Sequence, residues 1–226
     1  MVYSSPMLAS LKLMSLVCVV LFTAETSFAV ERFSTELHEI EVTAVVDGLR
    51  FPWGMAFLPD GDILVTERDG ALRLVRGGQL VPEAIAGLPE IAPTGQGGLM
   101  GIALDPAFEQ EPWVYLAYAG KGRGGHGTEV VRGRLRGMRL EDVEVLFTAL
   151  PKSRGGRHFG SRLVFLPDGT LLISLGDRGE RKSAQDLDDH RGSLIRINPD
   201  GSVPEDNPFA GGSKPEIFSY GHRNMQ

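Results

Sequence analysis

The chain has 226 residues, 42% of them hydrophobic, and its 23 Lys and Arg against 29 Asp and Glu give a formal net charge of −6. That length can bury a sizeable core. The mild acidity and the lack of a basic run argue against nucleic acid as a partner, and a single cysteine excludes a disulfide framework.

Lys12 precedes an apolar run at residues 13–23, broken only by Ser15, and Ser27-Phe28-Ala29 then sets small residues three and one before a cleavage point. This is the layout of a secretory signal, and the run is too short to cross a bilayer. Residues 1–29 are therefore expected to be a signal peptide. Residues 30–226 are expected to be a periplasmic or secreted chain with no membrane span after cleavage. The alternative, a buried helix, lacks an amphipathic face. Cys18 does not read as a lipidation site, because Val17 is bulky and the apolar run continues past it. The 197 residues from position 30 onward contain no cysteine.

Downstream, 29 glycines and 14 prolines suit an all-β chain with many turns. Val42, Ala44 and Val46 alternate weakly. Residues 49–57 read as a strand that ends at Leu58-Pro59-Asp60-Gly61, where Pro presets φ and Gly accepts a positive φ. Residues 63–66 and 71–75 are further short strands, parted by Asp69-Gly70 and closed by Gly77-Gly78. Together they predict a meander.

The pattern then returns. Residues 101–104 lead through Asp105-Pro106 to an apolar run at 113–118, and residues 163–166 lead through Pro167-Asp168-Gly169 to 171–174. Phe57-Leu58-Pro59-Asp60-Gly61 and Phe165-Leu166-Pro167-Asp168-Gly169 are identical, 108 positions apart, and a middle copy at Ala103 splits that distance into 46 and 62. A fourth hint is Leu194-Ile195-Arg196-Ile197-Asn198-Pro199-Asp200-Gly201. Repeats of this spacing, each a small antiparallel meander, predict a β-propeller rather than a β-sandwich. About three to four blades are expected here. A ring left open would expose blade faces, so the sequence reads as part of a longer protein.

Gly120, Gly122 and Gly125 fit G-x-G-x-x-G by spelling. The next segment, Thr128-Glu129-Val130-Val131-Arg132, is strand-like, so the helix that a dinucleotide needs is missing. A hairpin loop is expected instead. None of the five histidines pairs with another at zinc-ligand spacing. Asp186, Asp188, Asp189, Asp200, Asp206 and Asn207 lie in turn-rich sequence, match no EF-hand pattern and read as solvated turns. Gly160-Ser161-Arg162 lacks the second glycine of a nucleophile elbow and precedes a strand, not a helix.

The residues with most chemical content are His158 and Asp177. His158 sits among Gly155, Gly156 and Gly160 at the mouth of one apolar strand, and Asp177 comes after the next strand, between Gly176 and Gly179. If both strands share a sheet, the two emerge at the same end of a hairpin. An imidazole base and its orienting carboxylate need that arrangement.

An ordered set of segments resembles the soluble, pyrroloquinoline-quinone-dependent aldose sugar dehydrogenases of the glucose/sorbosone dehydrogenase family. The set begins with the segment from Phe51 to Gly61, Thr66-Glu67-Arg68-Asp69-Gly70 and Gly95-Gln96-Gly97-Gly98-Leu99-Met100-Gly101. It continues with His158-Phe159-Gly160-Ser161-Arg162-Leu163, Leu175-Gly176-Asp177-Arg178-Gly179 and Ala184-Gln185-Asp186-Leu187. Pro204-Glu205-Asp206-Asn207-Pro208-Phe209 and Ser219-Tyr220-Gly221-His222-Arg223-Asn224 complete it.

The resemblance implies a six-bladed propeller with pyrroloquinoline quinone (PQQ) in a cleft at its top. It implies an aldose substrate oxidised at C1, an external electron acceptor and a calcium ion. His158 is then the general base, Asp177 orients it and stabilises its protonated form, Arg223 and Asn224 face the quinone, and Gln96 lies beside the sugar. Two departures stand out. Met225 replaces the proline usual after Arg-Asn, and the calcium ligands and further quinone-binding cations are expected beyond Gln226. The 226 residues alone are therefore expected to be inactive. The rival readings are a propeller that binds a sugar or a protein without catalysis and a calcium-dependent propeller lactonase.

Overall fold

A computed structural model describes residues 30–226, so the expected signal peptide at 1–29 lies outside the described residues. The chain divides into two compact units, one ending at Ala44 and one running from Val45 to Gln226. In the first, β1 (Val30–Ser34) and β2 (Glu39–Thr43) form an antiparallel hairpin whose residues are all exposed. Its turn is closed by Thr35, whose Oγ1 donates to the His38 carbonyl at 2.7 Å.

The second unit holds three four-stranded antiparallel sheets. The first comprises β3 (Pro52–Phe57), β4 (Ile63–Glu67), β5 (Leu72–Arg76) and β6 (Gln79–Leu80) in sequence order. The second comprises β7 (Leu99–Leu104), β8 (Trp113–Gly122), β9 (Gly125–Arg136) and β10 (Arg139–Thr148). The third comprises β11 (Gly160–Phe165), β12 (Leu171–Leu175), β13 (Leu194–Ile197) and β14 (Ile217–Ser219). Each is a meander of the kind that forms a propeller blade.

The repeated Pro-Asp-Gly text has a repeated structural cause. Gly61 donates to the Leu58 carbonyl and Gly169 to the Leu166 carbonyl, at 3.0 and 2.9 Å. The aspartate of each turn accepts from the amide two residues on, Asp60 from Asp62 and Asp168 from Thr170. Gly61 and Gly169 take φ of +89° and +84°, which glycine adopts at little cost. Asn198-Pro199-Asp200-Gly201 makes the same turn, with Gly201 donating to the Asn198 carbonyl. This fourth hint does not open a fourth sheet. Its strand is β13, paired with β12 through Ile173 and Ile195 inside the third sheet.

The core lies between sheets. β8 shows why its apolar run is continuous rather than alternating. Val114, Leu116 and Tyr118 pack in a cluster with Leu64, Leu72 and Leu74 of the first sheet. Trp113, Tyr115 and Ala117, on the opposite face, pack with Leu171, Ile173 and Ile195 of the third. Successive side chains of a strand point to opposite faces, so one strand serves two interfaces. Burying each such side chain is worth about 1.5–3 kcal/mol. On its other face the first sheet buries Val65 and Val75 but leaves Met55 63% and Phe57 66% exposed.

Gly120, Gly122 and Gly125 lie where β8 and β9 run on as a hairpin, Gly120 opposite Gly127 and Gly122 opposite Gly125, with no helix after them. Two of the polar residues expected in solvated turns are instead buried. Asn207 donates to the Arg196 and Pro215 carbonyls, and Asp189 pairs with Arg191. Among the described residues, no helix is long and apolar enough to cross a membrane.

Candidate functional site

His158 lies two residues before β11 and Asp177 two residues after β12. Gly160 and Leu175 face each other at that end of the hairpin, so the pairing brings the two side chains together. His158 Nδ1 lies 2.6 Å from Asp177 Oδ1. Both are buried, His158 7% and Asp177 2% exposed.

Burial works to raise the Asp177 pKa. The Gly179 amide, which donates to Oδ1 at 2.7 Å, together with His158 and the charge of Arg223, outweighs it and holds the carboxyl below its usual range. Asp177 is thus an acceptor, and the shared proton belongs on Nδ1 of His158. That leaves Nε2 of a neutral ring as the free lone pair, the tautomer a general base requires.

The backbone around this pair is unusual. His158, Ser161 and Arg178 have φ of +56°, +79° and +55°, a region that costs a non-glycine residue about 1–2 kcal/mol. Such strain persists only where surrounding contacts over-determine it. The contacts are present. Gln96 Oε1 accepts from the His158 amide at 2.8 Å, and Thr128 Oγ1 donates to the Phe159 carbonyl at 2.8 Å. Asn224 Oδ1 accepts from the Gly160 amide at 3.1 Å. Gly176 is required for a different reason: a methyl group there would strike the His158 carbonyl.

A cleft of about 400 Å³ is lined by Trp53, Arg68, Gln96, Met100, Phe159 and Asn224 together with Gly160 and Gln226. It reaches the pair through Gln96 and through Phe159, next to His158 in sequence, while His158 and Asp177 do not themselves line it. All three sheets contribute. Trp53 comes from β3, Arg68 comes directly after β4, Met100 lies on β7, and Phe159 and Gly160 stand at the start of β11. The cleft offers two aromatic rings, one guanidinium and three side-chain amides, those of Gln96, Asn224 and Gln226. That donor set fits a flat, anionic, heteroaromatic molecule. A second cleft of about 410 Å³, at the Pro-Asp-Gly end of the first sheet, is lined by Leu58, Asp60, Leu74, Arg76 and Phe108 and includes no histidine.

The structure therefore gathers His158, Asp177, Gln96 and Asn224 within one network. Gln96 enters it through its oxygen, already committed to the His158 amide, so only its NH₂ faces other work. Arg223 joins through its backbone, its carbonyl accepting from the Asp177 amide at 2.8 Å. Its side chain is exposed and, among the described residues, makes no hydrogen bond or ion pair within contact distance. Sequence reasoning missed Trp53, Arg68 and Phe159 as lining residues, although each sits in a segment that resembled the family.

Another histidine–carboxylate pair exists in the same unit. His190 Nδ1 accepts from the Leu150 amide at 2.9 Å, so its Nε2 carries the proton given to Glu216 at 2.7 Å. Both nitrogens are thus engaged and the residue is 2% exposed, which makes it a strut rather than a base. Among the described residues, no three His, Cys, Asp or Glu side chains are grouped to hold a metal ion.

The profile of the family described as Glucose / Sorbosone dehydrogenase matches residues 49–226. Aldose sugar dehydrogenase YliI of Escherichia coli K12 is 41% identical over 193 residues, covering 83% of this chain and 52% of that protein. The crystal structure of the soluble aldose sugar dehydrogenase from Escherichia coli in the apo form is 42% identical and superposes with a TM-score of 0.75, covering 78% of this chain and 52% of that one. The PQQ-bound form of aldose sugar dehydrogenase from Streptomyces coelicolor is 30% identical with a TM-score of 0.71, covering 88% of this chain and 56% of that one. The chain thus spans about half the length of the relatives it matches.

Proposed function

The chain belongs to the glucose/sorbosone dehydrogenase family, and from that premise we propose that its three sheets carry the proton-accepting half of an aldose-oxidising site and one wall of a PQQ cleft. The observation that carries this reading is the 2.6 Å contact between His158 and Asp177 beside a cleft with aromatic and cationic walls. When bound, the quinone supplies the acceptor for the hydride that leaves C1 of the sugar.

The residues of this chain do the rest. Nε2 of His158 takes the proton of the C1 hydroxyl, and the imidazolium that forms is stabilised by the ionised Asp177. Arg68 and Asn224 would hold polar edges of the quinone, with Trp53 as the aromatic side of the wall and the buried Phe159 packed behind it. Arg223, whose backbone carbonyl accepts from the Asp177 amide, would supply positive charge to a bound quinone. The NH₂ of Gln96 is the group left to meet a sugar hydroxyl.

The calcium implied by the resemblance finds no carboxylate cluster among the described residues, so no step is derived through it. The reading includes the proposal that the 226-residue chain turns over little or no sugar by itself. The reading keeps the protein in an exported compartment and its electrons passing to an external acceptor.

Two measurements test it. Trp53 and Trp113 are the two tryptophans, so a W113F chain reports the cleft through Trp53 alone. Adding PQQ should quench that fluorescence saturably, and the absence of saturable quenching overturns the reading. In a dye-reduction assay with glucose, quinone and calcium, the purified chain should show no turnover above a no-protein control. Clear turnover would refute the statement that these residues are insufficient.

A further inference from the structure

Arg178 comes directly after Asp177, is 5% exposed and has no carboxylate within ion-pair distance among the described residues. An arginine buried in this way is costly, and its Nε is left without a partner. A methionine or leucine would fill the same space without an orphaned donor. The reason for a guanidinium must therefore lie in what its other nitrogens hold.

Nη1 donates to the Arg157 carbonyl and Nη2 to the Gly155 carbonyl. The guanidinium carbon also lies 3.4 Å from the centre of the Phe159 ring. One side chain thus grips the backbone just before His158 and the side chain just after it. Between those grips sits His158 at φ +56°, and its ring is held by the residue adjacent to Arg178 in sequence.

We propose that Arg178 is the positioning residue of the site, holding the strained His158 backbone so that its ring stays on Asp177. Only a planar fork can do this. Arginine reaches two carbonyls at fixed spacing and stacks on a ring, whereas lysine offers one point charge and no plane. Consecutive residues then divide the work, Asp177 taking the imidazole and Arg178 the peptide that carries it. The guanidinium stays charged at neutral pH, although burial first and Arg191 second bring its pKa down to about 10.

The assignment deepens the reading of His158 as the base and rests on that reading for its catalytic meaning. Its test contains neither quinone nor sugar, so the two can fail separately. In the uniformly ¹⁵N-labelled 226-residue chain, the proton between His158 Nδ1 and Asp177 should give a low-field resonance, identified by its loss in H158N. Backbone amides of Leu64 and Val65, buried in the first sheet, report overall stability in the same sample.

In R178A the low-field proton should vanish or exchange with water roughly tenfold faster, the factor that one ordinary hydrogen bond is worth. The Leu64 and Val65 amides should keep their protection. R178K should lie between, with faster His158 exchange and an intact first sheet. If R178A does not fold, R178K decides. Wild-type exchange at His158 in a folded variant overturns the proposal. So does an equal loss of protection at His158 and at Leu64 and Val65, which would make Arg178 a general stabiliser.

Discussion

His158 Nδ1 and Asp177 Oδ1 sit 2.6 Å apart across the mouth of one hairpin, with Gly160 and Leu175 paired behind them. The hairpin's other end is closed by Asp168, whose Oδ2 pairs with Arg196 at 2.8 Å and whose Oδ1 accepts from Thr170. One aspartate thus anchors each end. Both have pKa values below the usual range, Asp168 at about 2, held there first by the Thr170 hydroxyl and amide and then by Arg196.

These shifts fix a sign for acid stability. A carboxyl whose folded pKa is depressed contributes stability that is fully present above its unfolded value, about 3.9, and is lost as pH falls through the folded value. Urea unfolding at a series of pH values should show stability falling from about pH 4 downward. In D168N and D177N the fall should be shallower, because each variant removes one group that must take up a proton on unfolding. Unchanged steepness in both would show that neither carboxyl is linked to folding.

Gly176 offers a sharper probe of the site. Its missing side chain leaves room for the His158 carbonyl. G176A should push the His158 loop off the end of β12 and weaken the contact with Asp177, while the distant pairing of β3 with β4 persists. Hydrogen exchange would show increased opening at residues 156–160 and unchanged protection at Leu64 and Val65. Native protection throughout would mean that the loop relaxes without cost.

Much of the fold was legible because the signals were local. The Pro-Asp-Gly turns are specified within five residues, so two identical pentapeptides gave two equivalent turns. The limits were non-local. Leu194-Ile195-Arg196-Ile197 has the same spelling as a strand that opens a sheet. It lies instead third in its sheet, because Ile173 pairs with Ile195, and strand partners are not written into a segment's own sequence. Likewise Asn207 reads as a turn residue but is buried by two carbonyls that the chain brings back to it, from Arg196 and Pro215. At the site, His158 and Asp177 could be paired from the hairpin alone. Gln96, 62 positions away from His158, could be placed near it by resemblance, but its bond to the His158 amide exists only once β7 packs against β11.

Core packing supplies a further expected outcome. Leu116 is fully buried on the face of β8 that meets the first sheet. L116A should cost about 2–5 kcal/mol in urea unfolding, the range for a buried leucine truncated in a rigid surround. Val164, on β11, is 55% exposed, and V164A should change stability by less than about 0.5 kcal/mol. Equal effects at the two positions would contradict the assignment of the second sheet as the shared layer.

The last prediction concerns the cleft wall. Arg68 lines the cleft, and its guanidinium stands 4.9 Å from the Phe51 ring centre. If the cleft takes an anionic quinone, Arg68 meets it as a charge-assisted donor, an interaction worth about 1.5–3 kcal/mol. R68A should then weaken Trp53 quenching by PQQ about 10- to 100-fold. Raising the salt concentration should weaken binding to the wild type more than to R68A, since screening acts on the charge that the variant lacks. N224A should weaken binding as well. It should do so independently of salt, because Asn224 acts through a neutral amide and through its hold on the Gly160 amide. Equal salt dependence in wild type and R68A would place the quinone's charge elsewhere and remove Arg68 from the wall.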